Sequence, residues 1–242
     1  MNGVGTPAEP LGTPLASEAT IREALSMSVD REALVSSVFS NWYSPACSPI
    51  SPASPFSTEA SEACAEYDPA AAKKMLEAAG ATVPFPITMQ VSNNPDTLRF
   101  AQALQAAVAE GGFELTIAPV EYSTLLDVQT RGDFEALQLG WSGRVDPHGN
   151  MYNFLSTGGG NNYSGYNNAE VDDLMTEAAA VNDVDERAEL YGQVVEKVQE
   201  DSPIIYLYRV RSLTALSNDI AGVSTFADGV VRLSTAAFVE AD

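Results

Sequence analysis

The chain has 242 residues, of which 45% are apolar and 19% charged, a composition typical of folded globular proteins and unlike disordered or collagen-like sequences. Its 33 acidic residues outnumber the 12 basic ones and give a net charge of −21, which disfavours binding to nucleic acid or to anionic membrane surfaces. No apolar run approaches the ~18 residues that a membrane-inserted helix needs.

The first 40 residues predict a lead-in followed by two helices. Gly and Pro recur in residues 1–17, so this stretch is expected to be irregular. Met1 is not followed by the basic and apolar segments of a signal peptide. Apolar residues at helical spacing between Ser17 and Ser40 predict two helices, with Asp30 as the N-cap of the second.

The two cysteines, Cys47 and Cys64, lie in a Pro- and Ser-rich loop that spans residues 41–67. A disulfide between them would stabilise the fold by roughly 3 kcal/mol on the loop-entropy model and would indicate a compartment outside the reducing cytosol. Two free buried thiols are the alternative. A zinc site would need four ligands, and the single histidine, His148, lies far along the chain.

The middle of the chain alternates between helical and strand patterns. The predicted order is helix 68–80, strand Phe85–Val91, helix Asp96–Glu110, strand Phe113–Val120, helix Tyr122–Thr130 and strand Phe134–Trp141. These lengths predict parallel β-α-β units with right-handed crossovers, and therefore an α/β fold. Ligands of open α/β sheets bind beyond the carboxyl ends of the strands, so the segment after Trp141 is the expected site.

The C-terminal part begins with a loop over residues 140–168 that is rich in Gly, Asn, Ser and Tyr. Two helices, Ala169–Val181 and Asp185–Asp201, are predicted next, followed by a buried strand over residues 203–208 and a neighbouring strand over residues 213–216. The tail over residues 217–242 has strand-like pieces and no core of its own.

Motifs that resemble catalytic or metal sites are weak. Ser142 and His148 could suggest a serine hydrolase, but Arg144 stands where the nucleophile elbow has glycine. The glycines at 158–160 are not followed by the Lys-Ser/Thr of a phosphate loop, and residues 182–186 lack the glycine of a calcium loop. Carboxylate pairs for glycoside hydrolysis stay open, since 33 acids allow many pairs.

The order of landmarks resembles the family 5 extracytoplasmic solute-binding proteins of ABC transporters, the dipeptide, oligopeptide and nickel group. The stretches that carry the resemblance are IREALSMSVDREALV (21–35), YDPAAAKKMLEAAG (67–80), GDFEALQLGWSGRVDP (132–147), NNYSGYNNAEVDDLM (161–175) and ERAELYGQVVEKVQEDSPIIYLY (186–208), followed by the tail. No single stretch is specific, but their order over about 190 residues is.

This resemblance implies a periplasmic-binding-protein-like (type II) lobe in which helices pack on a central mixed sheet. Family members are about twice as long and carry a leader, in many cases a lipoprotein one, and an N-terminal lobe. Residues 18–216 would then be the C-terminal ligand-binding lobe, residues 1–17 the remains of the inter-lobe connection, and residues 217–242 a tail that returns to the first lobe. The chain is expected to be shortened or the product of an incomplete gene.

The resemblance also implies a ligand-binding site. Trp141 and Asp146 stand where peptide binders of the family have an aromatic residue and an acid that pairs with the ligand α-ammonium. Ser142, Arg144 and His148 belong to the same loop. Some relatives carry nickel complexes or haem, so a metal role of His148 is a minor alternative, and no cofactor is expected. The open alternatives are that Asp146 only initiates a turn and that Trp141 only packs in the core.

The expected function is non-enzymatic binding of a peptide or similar small solute for an ABC importer, outside the cytoplasm, with the membrane permease as partner and a lipid anchor on the full-length protein. A secreted carboxylate-based hydrolase and a surface interaction or adhesion module are the alternatives. The cleft of a single lobe encloses a ligand from one side only, so the chain alone is expected to bind weakly.

Overall fold

The computed structural model describes residues 13–239, which form ten helices and nine strands, most of the strands being two residues long. The helices are α1 (Pro14–Ser17), α2 (Ala19–Met27), α3 (Arg31–Phe39), α4 (Glu59–Glu62), α5 (Pro69–Ala78), α6 (Pro95–Glu110), α7 (Tyr122–Arg131), α8 (His148–Leu155), α9 (Ala169–Ala180) and α10 (Val184–Asp201). The strands are β1 (Ser44–Pro45), β2 (Phe85–Ser92), β3 (Phe113–Val120), β4 (Ala136–Leu137), β5 (Tyr208–Arg209), β6 (Ile220–Ala221), β7 (Ser224–Thr225), β8 (Val231–Arg232) and β9 (Ala237–Phe238).

Side-chain caps fix where the predicted helices begin. Asp30 accepts a hydrogen bond from the backbone N–H of Ala33 at 2.9 Å at the start of α3. Asp68 does the same for Ala71 at 2.8 Å, just before the proline that opens α5. Each carboxylate satisfies a backbone donor that has no partner within the helix. The predictions of both starts are confirmed.

A three-stranded parallel sheet in the order β3-β2-β4 forms the centre of the first half. The longest pairing runs from Phe85 opposite Phe113 to Ser92 opposite Val120. This confirms the predicted β-α-β units. The sheet is parallel throughout and not mixed as expected, because the antiparallel pairing of β5 is made with β1, in a separate two-stranded ladder.

The third strand is shorter than the predicted Phe134–Trp141. Only Ala136 and Leu137 pair with β2, and the N–H of Gln138 adds one further hydrogen bond to the carbonyl of Gln90 at 3.0 Å. The chain then leaves the sheet because α8 holds the following residues through side-chain hydrogen bonds. The predicted site therefore begins four residues earlier than expected.

Two hydrophobic cores fill the described chain. The first lies between the sheet and helices α2, α3, α5 and α6, with Phe100 and Leu76 fully buried. The second joins α8, α9 and α10 and includes Ile50 of the Pro- and Ser-rich loop, with Tyr191, Met151 and Met175 fully buried. Helix α10 also contacts α2 and α4, so the second core is fixed beside the first.

Some predicted elements differ in the structure. Residues 148–155, expected to be loop, form helix α8, and α4 lies within the Pro- and Ser-rich loop. Of the strand over 203–208 only Tyr208 is paired, in β5, and residues 213–216 form no strand and are exposed. Apart from the pairing of β5 with β1, neither run has a neighbouring strand among the described residues, and a strand needs such a neighbour to pair its backbone groups.

The cysteines form the predicted disulfide, with 4.8 Å between the Cα atoms of Cys47 and Cys64. Of the expected irregular lead-in, residues 1–12 lie outside the described residues, while Pro14–Ser17 form the one-turn helix α1, in which the Thr13 side chain accepts from the N–H of Ala16. None of the described helices has the length and hydropathy that a membrane span requires.

Candidate functional site

The segment that follows β4, residues 138–147, is called here the site loop. It starts at the carboxyl end of a strand of the parallel sheet and ends at α8, which is the position where open α/β sheets bind ligands. Pro147 is buried, and all the other residues of the site loop, 138–146, are exposed or half-buried. The loop is therefore an accessible surface and not a part of either core.

Trp141 lies on this surface with 47% of its area exposed. Its indole N–H donates to Oδ1 of Asn150 at 3.1 Å, and its ring meets Phe154 edge-on with 4.9 Å between centroids. The ring is thus held from α8 on one side and remains accessible elsewhere, so the alternative in which Trp141 only packs in the core does not describe its position.

Arg144 lies over the indole of Trp141, with 4.6 Å from its Cζ to the ring centroid. Its Nη1 donates to the Ser142 hydroxyl at 3.3 Å and to the Gly143 carbonyl at 2.6 Å. Asn150 clamps the backbone, since its Oδ1 accepts from the N–H of Arg144 at 2.6 Å and its Nδ2 donates to the Arg144 carbonyl at 2.8 Å. The side chains of Trp141, Ser142 and Arg144 therefore form one contacting group.

Asp146 is paired with Arg187 of α10. Nη1 of Arg187 donates to Oδ2 of Asp146 at 2.8 Å and Nη2 to Oδ1 at 2.9 Å, a bidentate arrangement, and the N–H of His148 donates to Oδ1 at 2.9 Å. Partial burial tends to raise the pKa of Asp146, but the hydrogen bonds from Arg187 and His148 outweigh it and hold the pKa below its ordinary value. Asp146 does initiate a turn, as one alternative supposed, and its side chain is still 51% exposed.

Arg187 is a site residue that the sequence patterns did not single out. Its Nε donates to the Ala178 carbonyl and its Nη2 to the Tyr191 hydroxyl, both at 2.9 Å. The guanidinium also lies 5.0 Å from the ring centroid of Phe56. Phe56 belongs to the Pro- and Ser-rich loop over residues 41–67, which is called the disulfide loop below. The hydrogen bond to Asp146 raises the pKa of Arg187. Arg187 is one of two basic residues on the acidic helix α10, the other being Lys197, and nothing in the sequence distinguished it as the partner of Asp146.

His148 opens α8 and stacks on Tyr152 with 4.7 Å between ring centroids. Its buried Nδ1 has no hydrogen-bond partner among the described residues. The same part of the chain contains no group of three His, Cys, Asp or Glu side chains that could hold a metal ion. No hydrogen bond joins His148 to Ser142 within residues 13–239, and the hydroxyl of Ser142 accepts from Arg144, so the arrangement lacks the nucleophile–base contact of a serine hydrolase.

The residues after the site loop stabilise the fold. The amide of the buried Asn162 donates to the carbonyls of Ser156 and Tyr166 at 2.9 and 2.7 Å. The Tyr166 hydroxyl donates to Asp201 at 2.6 Å, and burial followed by this contact raises the pKa of Tyr166. Asn162 and Tyr166 therefore hold this segment in place within the fold.

A cavity of about 400 Å³ lies away from the site loop, between the start of α3 and the disulfide loop. Among its lining residues are Arg31 and Arg209. Nε of Arg31 donates to the Tyr206 carbonyl and Nη2 of Arg209 to the Ser48 carbonyl. Both arginines therefore tie the chain segments around the cavity together. The two cysteines of the disulfide line the cavity, but none of the predicted ligand-binding residues does.

Comparison with known proteins gives consistent matches. The family model described as bacterial extracellular solute-binding proteins, family 5 Middle, matches residues 8–162. A dipeptide-binding protein of Pseudomonas aeruginosa is 28% identical over 213 residues, which cover 84% of this chain and 39% of that protein. Heme-binding protein A of Haemophilus influenzae is 28% identical over 214 residues, or 84% of this chain and 38% of that protein.

A solved structure supports the same relationship. The oligopeptide-binding protein AppA from Bacillus subtilis, in complex with a nonapeptide, superposes with a TM-score of 0.82 at 26% identity, covering 94% of this chain and 49% of that one. The superposition confirms the predicted α/β architecture. The chain spans about two fifths of the length of the curated relatives it matches.

Proposed function

Because the chain belongs to the bacterial extracellular solute-binding proteins of family 5, we propose that it supplies one ligand-binding lobe of the substrate-binding component of an ABC importer. Its fold is α/β and periplasmic-binding-protein-like. The solute is a peptide or a similar small molecule, which is captured without any bond being broken and passed to a membrane permease. The protein acts outside the cytoplasm, and a lipid anchor on the full-length protein would keep it near the permease.

The observation that carries this proposal is the position and accessibility of the site loop. It follows a parallel strand at the edge where α/β proteins bind ligands, and it presents an aromatic ring, a hydroxyl and charges of both signs within residues 141–146. Such a surface suits a polar solute with an organic backbone, because rings contribute contact area while charged groups fix orientation. The disulfide between Cys47 and Cys64 agrees with an oxidising compartment.

Residues 210–239, which include the described part of the tail, support the single-lobe interpretation. Most of their large apolar side chains are exposed, and Phe238 and Leu213 have 86% and 69% of their areas accessible. Apolar surface of this extent on a described segment is typical of a face that another protein surface covers. The tail is therefore proposed to pack on the N-terminal lobe that the longer relatives possess.

We also propose that Asp146 pairs with the ammonium group of the solute. Its carboxylate has about four acceptor directions, and Arg187 and His148 use three of them. The exposed remainder can accept one hydrogen bond from an ammonium group. Trp141 lies in the same loop, with 47% of its area exposed and Arg144 over its ring, and can add contact area to a bound solute.

The direct test is a binding experiment on the protein encoded by the complete natural gene, compared with residues 13–242 alone. Isothermal titration with tripeptides should give saturable binding for the former and weak or undetectable binding for the latter, since one lobe cannot enclose a ligand. Mass spectrometry of the mixture should recover the tripeptides intact. Release of shorter products, or equal affinity of the two proteins, would contradict the proposal.

The role of Asp146 has its own test in the natural protein. Asp146→Asn should weaken an amine-bearing tripeptide about tenfold, because a charge-assisted hydrogen bond becomes a neutral one, and should leave its N-acetylated form almost unchanged. Asp133→Asn, which alters an exposed ion pair with Arg131 at the end of α7, is the matched control. Equal losses for both tripeptides would remove the pairing role.

A further inference from the structure

Arg144 has a free hydrogen-bonding edge in the site loop. Only its Nη1 is engaged, by the Ser142 hydroxyl and the Gly143 carbonyl, and its Nε and Nη2 have no hydrogen-bond partner among residues 13–239. Nε and Nη2 form the edge of a guanidinium that donates two parallel hydrogen bonds to a carboxylate. The loop therefore uses one end of the side chain for its own structure and leaves the bidentate edge available.

The orientation of this side chain is fixed by its surroundings. The guanidinium rests on Trp141, and the backbone on both sides of its Cα is clamped by Asn150. The stem of Arg144 lies so close to α8 that a Cβ at Gly149 would come within 3.0 Å of its Cβ and Cγ. A side chain that is held before the ligand arrives loses little conformational entropy on binding.

The charge of Arg144 is not compensated within the described structure. No carboxylate of residues 13–239 lies within ion-pair distance of it, and the acid two residues away, Asp146, has both oxygens bound to Arg187. Acids are abundant in a chain with a net charge of −21, yet none of the described ones pairs with Arg144. Because Asp146 is paired with Arg187, the guanidinium of Arg144 is available to an acidic ligand.

We propose that the free edge of Arg144, held on Trp141, binds a carboxylate of the captured solute. This inference rests on the proposed function and specifies it, since it requires the solute to be an acid. In a peptide the carboxylate is either the C-terminal one or that of an acidic side chain, and the two have the same chemistry toward a guanidinium.

The experiment measures the binding of four tripeptides to the natural protein by isothermal titration at ~0.15 M salt, where exposed charges more than about 8 Å apart are screened. The probes are Ala-Glu-Ala, Ala-Gln-Ala and the C-terminal amides of both. Whichever carboxylate Arg144 binds, its removal from the peptide should weaken binding to the wild-type protein about tenfold or more. Weaker binding of the C-terminal amides would identify the C-terminal carboxylate as the group that Arg144 binds. Weaker binding of Ala-Gln-Ala than of Ala-Glu-Ala would identify the side-chain carboxylate.

Arg144→Gln should weaken the preferred acid by the same factor and abolish the difference between that acid and its neutral analogue. Arg131→Gln removes the same charge from an exposed residue outside the site and should leave all four affinities within twofold. If Arg144→Gln leaves the wild-type discrimination in place, or weakens acids and neutral analogues equally, the inference is wrong while the proposed function stands. If the wild-type protein binds none of the four peptides, the inference is overturned together with the proposal that the solute is a peptide.

Discussion

At the scale of single residues, the geometry of the site loop depends on Arg187. This side chain joins the carboxylate of Asp146 to the Ala178 carbonyl and the Tyr191 hydroxyl, and it lies against the ring of Phe56. The lowered pKa of Asp146 and the raised pKa of Arg187 have the same cause, their mutual hydrogen bonds. Because each charge neutralises the other, the loop can approach α10 without leaving Arg187 unpaired.

The ion pair makes stability depend on pH in a defined direction. At pH 7, Asp146→Asn should lower the free energy of unfolding by about 1 kcal/mol, a value discounted for solvent screening of the half-exposed carboxylate. Since the pKa of Asp146 is lower in the folded chain than its ordinary value of ~3.9, this contribution is complete above that pH and is lost as the pH falls through the folded value.

Urea unfolding of the wild-type and Asp146→Asn chains between pH 7 and pH 2 measures this effect. The difference between them should narrow below about pH 4, as the wild-type carboxyl becomes neutral too. Asp133→Asn removes an acid of an exposed pair and should cost less than about 0.5 kcal/mol at pH 7. A difference that stays constant down to pH 2 would show that the charge of Asp146 contributes nothing.

At the scale of elements, helix α8 positions the site loop. The helix carries Asn150, whose side chain binds Trp141 and both backbone groups of Arg144. It is anchored in the second core by Met151 and Leu155, which are four residues apart and lie on one face. The site loop is therefore positioned by a helix that is itself anchored in the second core.

Replacing Asn150 tests this arrangement. Asn150→Ala should lower the free energy of unfolding by about 1 kcal/mol, since the three lost hydrogen bonds are exposed, and should speed hydrogen exchange of the Arg144 amide. Mass spectrometry of exchange resolves the site loop from its neighbours. Asn153→Ala, at an exposed position of the same helix, should change neither quantity. Unaltered exchange in Asn150→Ala would mean that the loop is held by other contacts.

A second element, the disulfide loop, contacts Arg187 and Tyr191 of α10 and so helps to position the partner of Asp146. Its Phe56 meets the ring of Tyr191 edge-on at 6.1 Å between centroids and lies under Arg187. Gln199 of α10 donates to the carbonyls of Cys47, Ala60 and Ala63, the last at 2.8 Å. The loop thus depends on the disulfide and on α10 for its position.

Removal of the disulfide should therefore destabilise the fold. The bridge spans a sequence separation of 17 residues, for which the loop-entropy model gives roughly 3 kcal/mol. The double variant Cys47→Ser, Cys64→Ser should show a loss of this order in urea unfolding. The wild-type chain in dithiothreitol should lose a similar amount, whereas the double variant should be insensitive to the reductant. Equal stability of the oxidised wild-type and the double variant would contradict the expected contribution.

At the scale of the whole molecule, the exposed tail and the two cores differ in how they are stabilised. Every hydrogen bond found for residues 211–239 joins two residues of that segment. Its strands form two separate two-stranded sheets, β6 with β9 and β7 with β8, and neither sheet pairs with a strand outside the segment. The tail therefore adds apolar surface to the molecule and little stability to the cores.

Deleting the chain from residue 212 onward tests this division. The shortened protein should keep the far-UV circular dichroism of the helices, unfold within about 0.5 kcal/mol of the parent, and stay soluble at higher concentration because exposed apolar area is removed. Sedimentation and urea unfolding provide both measurements. A loss of several kcal/mol would show that the tail packs on the cores in solution.

The sequence was sufficient wherever the signal was local. Asp30 and Asp68 marked two helix starts, and the full span of β3 was predicted, because capping and periodic burial act within a few residues. The predicted helix over 169–181 ends one residue beyond Ala180, the last residue of α9. The segment after the third strand is a loop, as predicted, although it starts at residue 138, and its residues Trp141 and Arg144 lie together as expected of neighbours in one loop.

Helix α8 was missed although a signal for it existed. Pro147 precedes Met151 and Leu155 at helical spacing, but the surrounding Gly and Asn residues favoured a loop interpretation. The strand over residues 134–141 was predicted too long, because its apolar pattern continues beyond Leu137, the last residue paired with β2. In both cases contact with a distant segment decided a local ambiguity.

By itself, the sequence determined the order of the elements from α5 to α7, the parallel β-α-β units and the presence of a loop after the third strand, and it favoured the disulfide. Only the tertiary structure decided which charges of the loop are available, because Arg187 lies 41 positions after Asp146 and becomes its partner through the packing of α10 beside α8 and α9. Ion pairing depends on distance in space, and no spacing along the chain reveals it. The same packing leaves Arg144 without an acid and so gives the loop a cation to offer a solute.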